Sequence, residues 1–209
     1  MGFDLVLVRH GRTAWNREVR FRGQMDVPLD EVGQDQARAV ARAIQRRWPN
    51  AAALYASPLS RARQTAAPIG AALGLPVQIH AGLRDVDYGA WTGLTPDEAA
   101  AREPERYNLW VMAPGQVRFP DGETLGDVQA RLQQVLDEMA AAHSGERVIL
   151  VAHVVVNRVL LCTLLGLTLD AFWRLGQENG AINLAHYQAG DSVVECLNDT
   201  AHLQGGFDV

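Results

Sequence analysis

Apolar and polar positions along the chain fall into two alternating periods. Leu5–Val8 is an unbroken apolar run, the pattern of a strand buried on both faces, and it stops abruptly at Arg9-His10-Gly11. A polar loop leads through Asp26-Val27-Pro28-Leu29. Helical spacing follows over about 30–48, where Ala37, Val40, Ala41, Ile44 and Trp48 share one stripe and Pro49-Asn50 ends it. Ala52–Ala56 reads as a second buried strand. Ser57 as N-cap and Pro58 at the first position predict a helix over about 58–73, closed by Gly74. Val77–Ile79 is a short strand. Residues 81–122 hold no sustained period beyond a weak helix near 95–112, and irregular segments of this length are often functional. Val128, Leu132, Val135, Leu136 and Met139 mark a strong helix over about 124–142. Val148–Ala152 is a further buried strand ending at His153, followed by an apolar helix over about 155–165. Segments 181–188 and 192–197 predict a hairpin turning at Ala189-Gly190-Asp191.

This alternation predicts an α/β fold, a three-layer α/β/α sandwich with a mostly parallel central sheet. No repeat or linker divides the 209 residues, so one domain over 1–209 is expected, with an inserted lid at about 94–122. A hydrophobic share of 48% and a charged share of 21% suit a soluble globular protein. The net charge of −5 disfavours nucleic acid or an anionic membrane as partner. No span reaches transmembrane length, and the start of the chain, with Asp4, is unlike a signal peptide, so a cytoplasmic protein is expected. Cys162 and Cys196 lie in apolar surroundings and read as small buried hydrophobes rather than a disulfide or metal site.

Candidate chemistry collects where strands end. Arg9 and His10 follow the first strand, Arg61 lies just inside the helix after Ala52–Ala56, and His153 follows Val148–Ala152. In a parallel sheet these ends share one edge, the edge where open α/β sheets bind ligands. Each residue alone has a plainer explanation. A single histidine after a strand is more often structural, and Arg61 could be a solvated helix residue, as Arg63 is expected to be. Three strand ends with the same pattern favour a shared anion site, most simply for phosphate. Gly11 lets the backbone turn sharply or approach another group closely.

The stretch Arg9-His10-Gly11-Arg12-Thr13-Ala14-Trp15-Asn16 resembles the signature of the histidine phosphatase superfamily, which includes the cofactor-dependent phosphoglycerate mutases. Further matches follow in the family's order. They are Gly23-Gln24-Met25-Asp26 with Pro28-Leu29, then Gly33 and Ala37, then Ser57-Pro58-Leu59-Ser60-Arg61-Ala62-Arg63-Gln64-Thr65-Ala66. Leu83-Arg84-Asp85, Gly89-Ala90-Trp91-Thr92-Gly93, Pro120-Asp121-Gly122-Glu123-Thr124 and Val151-Ala152-His153 complete the set, which spans essentially the whole chain.

The resemblance implies a phosphoglycerate mutase-like fold and a phosphohistidine on His10. It places Arg9, Arg61 and His153 around the phosphoryl oxygens, with Asn16, Gln24 and the backbone N–H after His153, at Val154, as further substrate contacts. Arginine suits that task because its planar fork stays charged and donates bidentately. Asp85 falls at the family's acid position, with Asp87 as the local rival. It would protonate the leaving oxygen and then activate water. The implied reaction needs no metal and no cofactor, and its partner is a small phosphorylated metabolite.

The chain departs from the family pattern in three places. Aspartate stands at position 85 where many members carry glutamate. Val154-Val155-Val156 replaces the glycine common after the second histidine, and Asn157 and Arg158 follow deep in an apolar helix. The Arg-Arg pair of the mutases is missing from the inserted segment. That segment offers Tyr107, Trp110, Val111, Met112 and Phe119, which either receive an apolar leaving group or form the lid's own small core, with Arg102, Arg106 and Arg118 as scattered charges. His80, His143, His186 and His202 lack ligand spacing. The expectation is therefore a metal-independent phosphatase. Phosphoglycerate mutase activity is the first alternative, and a catalytically weak phospho-ligand-binding protein of the same fold is the second. The oligomeric state stays open, with a homodimer paired through a sheet edge or apolar helix as a candidate.

Overall fold

The structure, a computed structural model, describes residues 2–204, so residue 1 and residues 205–209 at the ends of the expected domain lie outside it. Six strands form one sheet in the order β3-β2-β4-β1-β5-β6. These are β1 (Gly2–Arg9), β2 (Ala53–Ala56), β3 (Val77–Ile79), β4 (Arg147–Ala152), β5 (Ile182–Gln188) and β6 (Val193–Asp199). The first four are mutually parallel, while β5 runs antiparallel to β1 and β6 to β5. The expected hairpin is therefore the antiparallel edge of an otherwise parallel sheet.

The apolar runs alternate between two cores, as a sheet covered on both faces requires. Phe3, Leu5 and Leu7 of β1 pack with Val148 and Leu150 of β4 on one face. Val6 and Val8 pack with Ile149 and Val151 on the other. The first face is covered by α6 (Leu125–Ala142) and α7 (Val154–Leu164), the second by α2 (Glu31–Arg47) and α3 (Ser60–Leu73). The three-layer sandwich is thus present. Asp30 caps α2 by accepting from Gly33 N–H at 2.8 Å, and Thr124 and Asp127 close a reciprocal cap on α6. Among the described residues no helix is long and apolar enough to cross a membrane. Both cysteines are free thiols, Cys162 buried and Cys196 only half-buried.

Three expectations change. The polar loop after β1 contains a short helix, α1 (Ala14–Glu18), closed by Thr13 and Asn16. The expected helix over 58–73 starts two residues later, with Leu59 at its cap and no side-chain cap bond. The weak helix near 95–112 is two helices, α4 (Pro96–Arg102) and α5 (Pro104–Met112), because Pro104 cannot donate to a continuing helix. Leu94, Ala99, Trp110, Val117 and Phe119 belong to the same apolar cluster as Leu5 and Leu7.

Candidate active site

Register builds the site. Arg9 lies opposite Ala152 and Ala56 opposite Val151, so the C-terminal ends of β1, β2 and β4 stand side by side. His10 N–H donates to the Ala152 carbonyl and Ser57 N–H to the Val151 carbonyl, both at 3.0 Å. These bonds extend the ladders one residue beyond the strands. They fix His10, Ser57 and His153 as neighbours, with the two imidazole centroids 5.2 Å apart.

Gly11 holds the loop by close approach rather than by a special turn. A Cβ there would meet the Gly33 carbonyl oxygen at 2.4 Å, so the loop lies backbone-on-backbone against the start of α2. Its N–H donates to Thr65 Oγ1 at 3.0 Å. Gly23 is different: its φ of +48° and its contact with Val86 O both exclude a side chain.

His10 is fully buried, and its Nδ1 lies 2.6 Å from the Gly11 carbonyl oxygen. Only an N–H can face a carbonyl, so Nδ1 carries the proton and Nε2 keeps its lone pair. Nε2 has no hydrogen-bond partner. Burial, with Arg61, Arg9 and Arg22 nearby, holds this imidazole neutral well below the usual histidine range.

His153 is buried beside it. Arg61 Nε donates to His153 Nδ1 at 3.2 Å, so the proton sits on Nε2, 2.7 Å from Ser57 Oγ. Burial and the neighbouring Arg61 depress its basicity too.

Arg61 is the hub. It also donates through Nη1 to Met25 O at 2.8 Å, and through Nη2 to Gly23 O at 2.8 Å and Asp85 Oδ2 at 3.1 Å. The Gly23–Met25 motif therefore serves partly as a seat for this guanidinium. Arg63 is exposed, as expected.

Asp85 is buried, accepts Val86 N–H at 3.0 Å through Oδ1, and lies 3.8 Å from His153 Nδ1. Burial raises its carboxyl above the usual range, although Arg61 and Arg22 oppose that. Asp87, its rival, accepts from Gly89 N–H and so acts as a turn residue.

Arg9 donates through Nη1 to the Gln177 carbonyl, while its Nε has no partner. Burial beside Arg22 and Arg158 lowers it to about 9. Gln24 Nε2 reaches Asp85 O at 3.4 Å. Asn16 uses Oδ1 to accept from Thr13 N–H at 2.9 Å and Thr13 Oγ1 at 3.0 Å, leaving Nδ2 to donate elsewhere. Val154 opens α7 and lines the cavity beside Asp85.

Two residues here escaped sequence reasoning. Arg22 is buried, its Nε has no partner, and it acts electrostatically on His10, Arg61 and Asp85. Its segment carries no period, and only its place before Gly23-Gln24 hinted at a role. Ser57, expected as a helix cap, is instead the partner of His153. It was misread because Ser-Pro before an apolar period is also a helix-start signal.

A cavity of about 230 Å³ opens from Arg22 and Asp85. Tyr107, Trp110 and Val111 line it, while Phe119 and Met112 do not. The two expectations for these residues therefore divide. Phe119 is core, Met112 is exposed on the surface, and Trp110 belongs both to the core and to the cavity wall. Among the described residues no cluster of three or more His, Cys, Asp or Glu side chains could hold a metal ion.

The buried histidines carry a cost in acid. Folded His10 and His153 bind fewer protons than the unfolded chain, so stability falls as pH drops through about 6.5. Asp85 works in the opposite sense, because burial raises its carboxyl. Urea denaturation should show roughly 2–3 kcal/mol less stability at pH 5.5 than at pH 7.5 from this pair. His153→Gln should remove about half of that difference; an unchanged difference would mean that His153 is not buried neutral.

Chemically, the site presents one bare imidazole nitrogen among buried guanidinium groups, beside a carboxyl biased toward its acid form. That combination suits a nucleophile facing an anion.

The chain is similar to known proteins along nearly its whole length. Phosphoserine phosphatase 1 of Hydrogenobacter thermophilus is 35% identical over 199 residues, covering 95% of this chain and 93% of its own. A probable phosphoglycerate mutase, GpmB, of Yersinia pestis is 34% identical over 205 residues, covering 96% and 94%. A mycobacterial glucosyl-3-phosphoglycerate phosphatase solved with VO3 superposes with a TM-score of 0.86 at 29% identity, covering 94% of this chain and 99% of that one. The family model for branch 1 of the histidine phosphatase superfamily matches residues 5–200, and the chain belongs to that superfamily.

Proposed function

We propose that the protein hydrolyses a small phosphomonoester through a phosphohistidine on His10, without a metal ion. The observation that carries this reading is His10 itself: Nδ1–H tied to the Gly11 carbonyl, and Nε2 buried, neutral and without a partner. A purely phosphate-binding site gains nothing from an unprotonated nitrogen among its donors. Relatives whose names state phosphatase activity support the same class of reaction.

In the proposed reaction, the Nε2 lone pair attacks phosphorus and the ester P–O bond breaks. Asp85 gives its proton to the leaving oxygen, a role suited to a carboxyl that burial holds above the usual range. The resulting carboxylate then takes a proton from water, which attacks the phosphohistidine. The P–N bond breaks, its electron pair returns to Nε2, and inorganic phosphate leaves.

In this reading Arg9 and Arg22, which act electrostatically on His10 and keep an unpartnered Nε each, supply the positive charge that the transferring phosphoryl group needs. Ser57 holds the Nε2–H of His153. Arg61 Nε holds the lone pair of Nδ1, so this imidazole stays neutral and in one orientation beside His10. Asn16 Nδ2, Gln24 and the Val154 N–H complete the proposed substrate contacts.

The test is turnover of phosphomonoesters by chelator-treated protein across pH. We expect chelation to leave the rate unchanged. We expect kcat/KM to fall on the alkaline side as Asp85 loses its proton, with His10 staying neutral well below pH 6.5. Asp85→Asn should lower kcat by about 10²–10⁴-fold and flatten that limb. Loss of activity on chelation, restored by a divalent ion, would overturn the metal-free reading. An unchanged profile in the variant would remove Asp85 from its role.

A further inference from the structure

We propose that the group released from phosphate is an uncharged, apolar alcohol carrying one ring or a short branched chain. This rests on the phosphomonoesterase reading above and specifies its substrate.

The cavity that continues from Arg22 and Asp85 is walled by Phe21, Tyr107, Trp110, Val111, Val154 and Trp173. At about 230 Å³ it falls below the usual range of roughly 300–1,000 Å³ for drug-sized ligands, a size suited to one ring. Its aromatic walls are braced rather than loose. Trp173 Nε1 donates to Trp110 O at 2.7 Å, and the two rings meet edge to face at 4.9 Å. Val154, at the start of α7, adds apolar surface beside Asp85.

The charged groups argue the same way. Arg20 is the cavity's outer cation, and it is already matched. It donates to Glu18 at 2.9 Å and to Gly93 O at 2.8 Å, and lies 3.7 Å from Glu98. Arg22 lines the same cavity beside Asp85 with its Nε unpartnered, and in the proposed reaction it serves the phosphoryl group. Arg158 lies off the cavity, bonded to Leu175 O and stacked over Phe172 and Trp173 at 5.0 Å. A carboxylate on the leaving group would therefore lose its water against ring faces, whose quadrupole is negative, and find no cation beyond Arg22, which the phosphoryl group engages in the proposed reaction. The relatives named above for phosphoserine or a phosphoglycerate act on esters that bear such a carboxylate. This chain should differ from them in that respect.

The experiment compares kcat/KM for 2-phenylethyl phosphate, O-phosphoserine and 3-phosphoglycerate. All three release a primary alcohol, so the comparison reads the cavity rather than leaving-group chemistry. The expected preference for the phenylethyl ester is on the order of a hundredfold. Val111→Arg, at a half-exposed rim position, supplies an unmatched guanidinium and should narrow that preference by about tenfold or more. Equal or better turnover of phosphoserine or 3-phosphoglycerate by the wild type overturns the inference. So does a preference that Val111→Arg leaves unmoved. Failure to hydrolyse any of the three overturns the phosphomonoesterase reading itself, so the two failures are distinguishable.

Discussion

His10→Ala should abolish turnover of every phosphomonoester the protein accepts, lowering kcat/KM by about 10⁴-fold or more, while the chain stays folded. The size of the effect follows from the absence of a substitute. His153 is the other imidazole at the site, but Arg61 and Ser57 engage both its nitrogens. Asp85 is a weak nucleophile held by Arg61 and Val86. The structural cost is modest. The substitution leaves a small cavity and takes the Nδ1–H donor from the Gly11 carbonyl, but it also removes a buried nitrogen that has no hydrogen bond. Circular dichroism and the unfolding midpoint should therefore remain close to wild type. Activity within about tenfold of wild type would place the nucleophile elsewhere.

Arg61→Ala should damage stability and catalysis together. The guanidinium is fully buried and bonds to His153, Met25, Gly23 and Asp85. Removing it leaves Asp85 as a buried carboxylate without its nearest cation, along with carbonyls that lose their donor. Breaking a buried pair in this way costs roughly 3–5 kcal/mol. Asp85 would also shift further toward its acid form, and His153 would lose the donor that sets its tautomer. Turnover should fall by about 10³-fold. Arg61→Lys should rescue little, because one ammonium cannot reach partners spread around a planar fork. A double-mutant cycle separates the causes. Arg61→Ala with Asp85→Ala should be more stable than Arg61→Ala alone, since no uncompensated charge remains. If the single variant loses less than about 1 kcal/mol, the hub is not structural.

The fold was legible where hydrophobic runs were unambiguous. Leu5–Val8 and Val148–Ala152 read as buried strands, and their abrupt polar ends located His10 and His153 on one sheet edge. Parallel register did the rest, and it brings Arg61 to the same edge. The misses have physical reasons. Ser57-Pro58 satisfies the local rule for a helix start, and only tertiary structure shows that His153 claims the hydroxyl. Arg22 sits in a stretch whose conformation depends on contacts from Val86 and Arg61, so no period marks it. Asn16 matched by motif, yet part of its side chain is a local cap. The segment from 94 to 122 carries no sustained period, so its place in the core could not be read locally. Trp110 and Phe119 join the main core through contacts distant in sequence.

The central claim is that a phosphoryl group passes through Nε2 of His10. Its most direct measurement is a rapid acid-free quench during turnover, followed by mass spectrometry of the peptides under alkaline conditions that preserve phosphohistidine. The account predicts one added phosphoryl group on the peptide containing His10, lost on mild acid treatment and absent from His10→Ala. Steady turnover with no such adduct at any quench time, or an acid-stable phosphate on another residue, would contradict it.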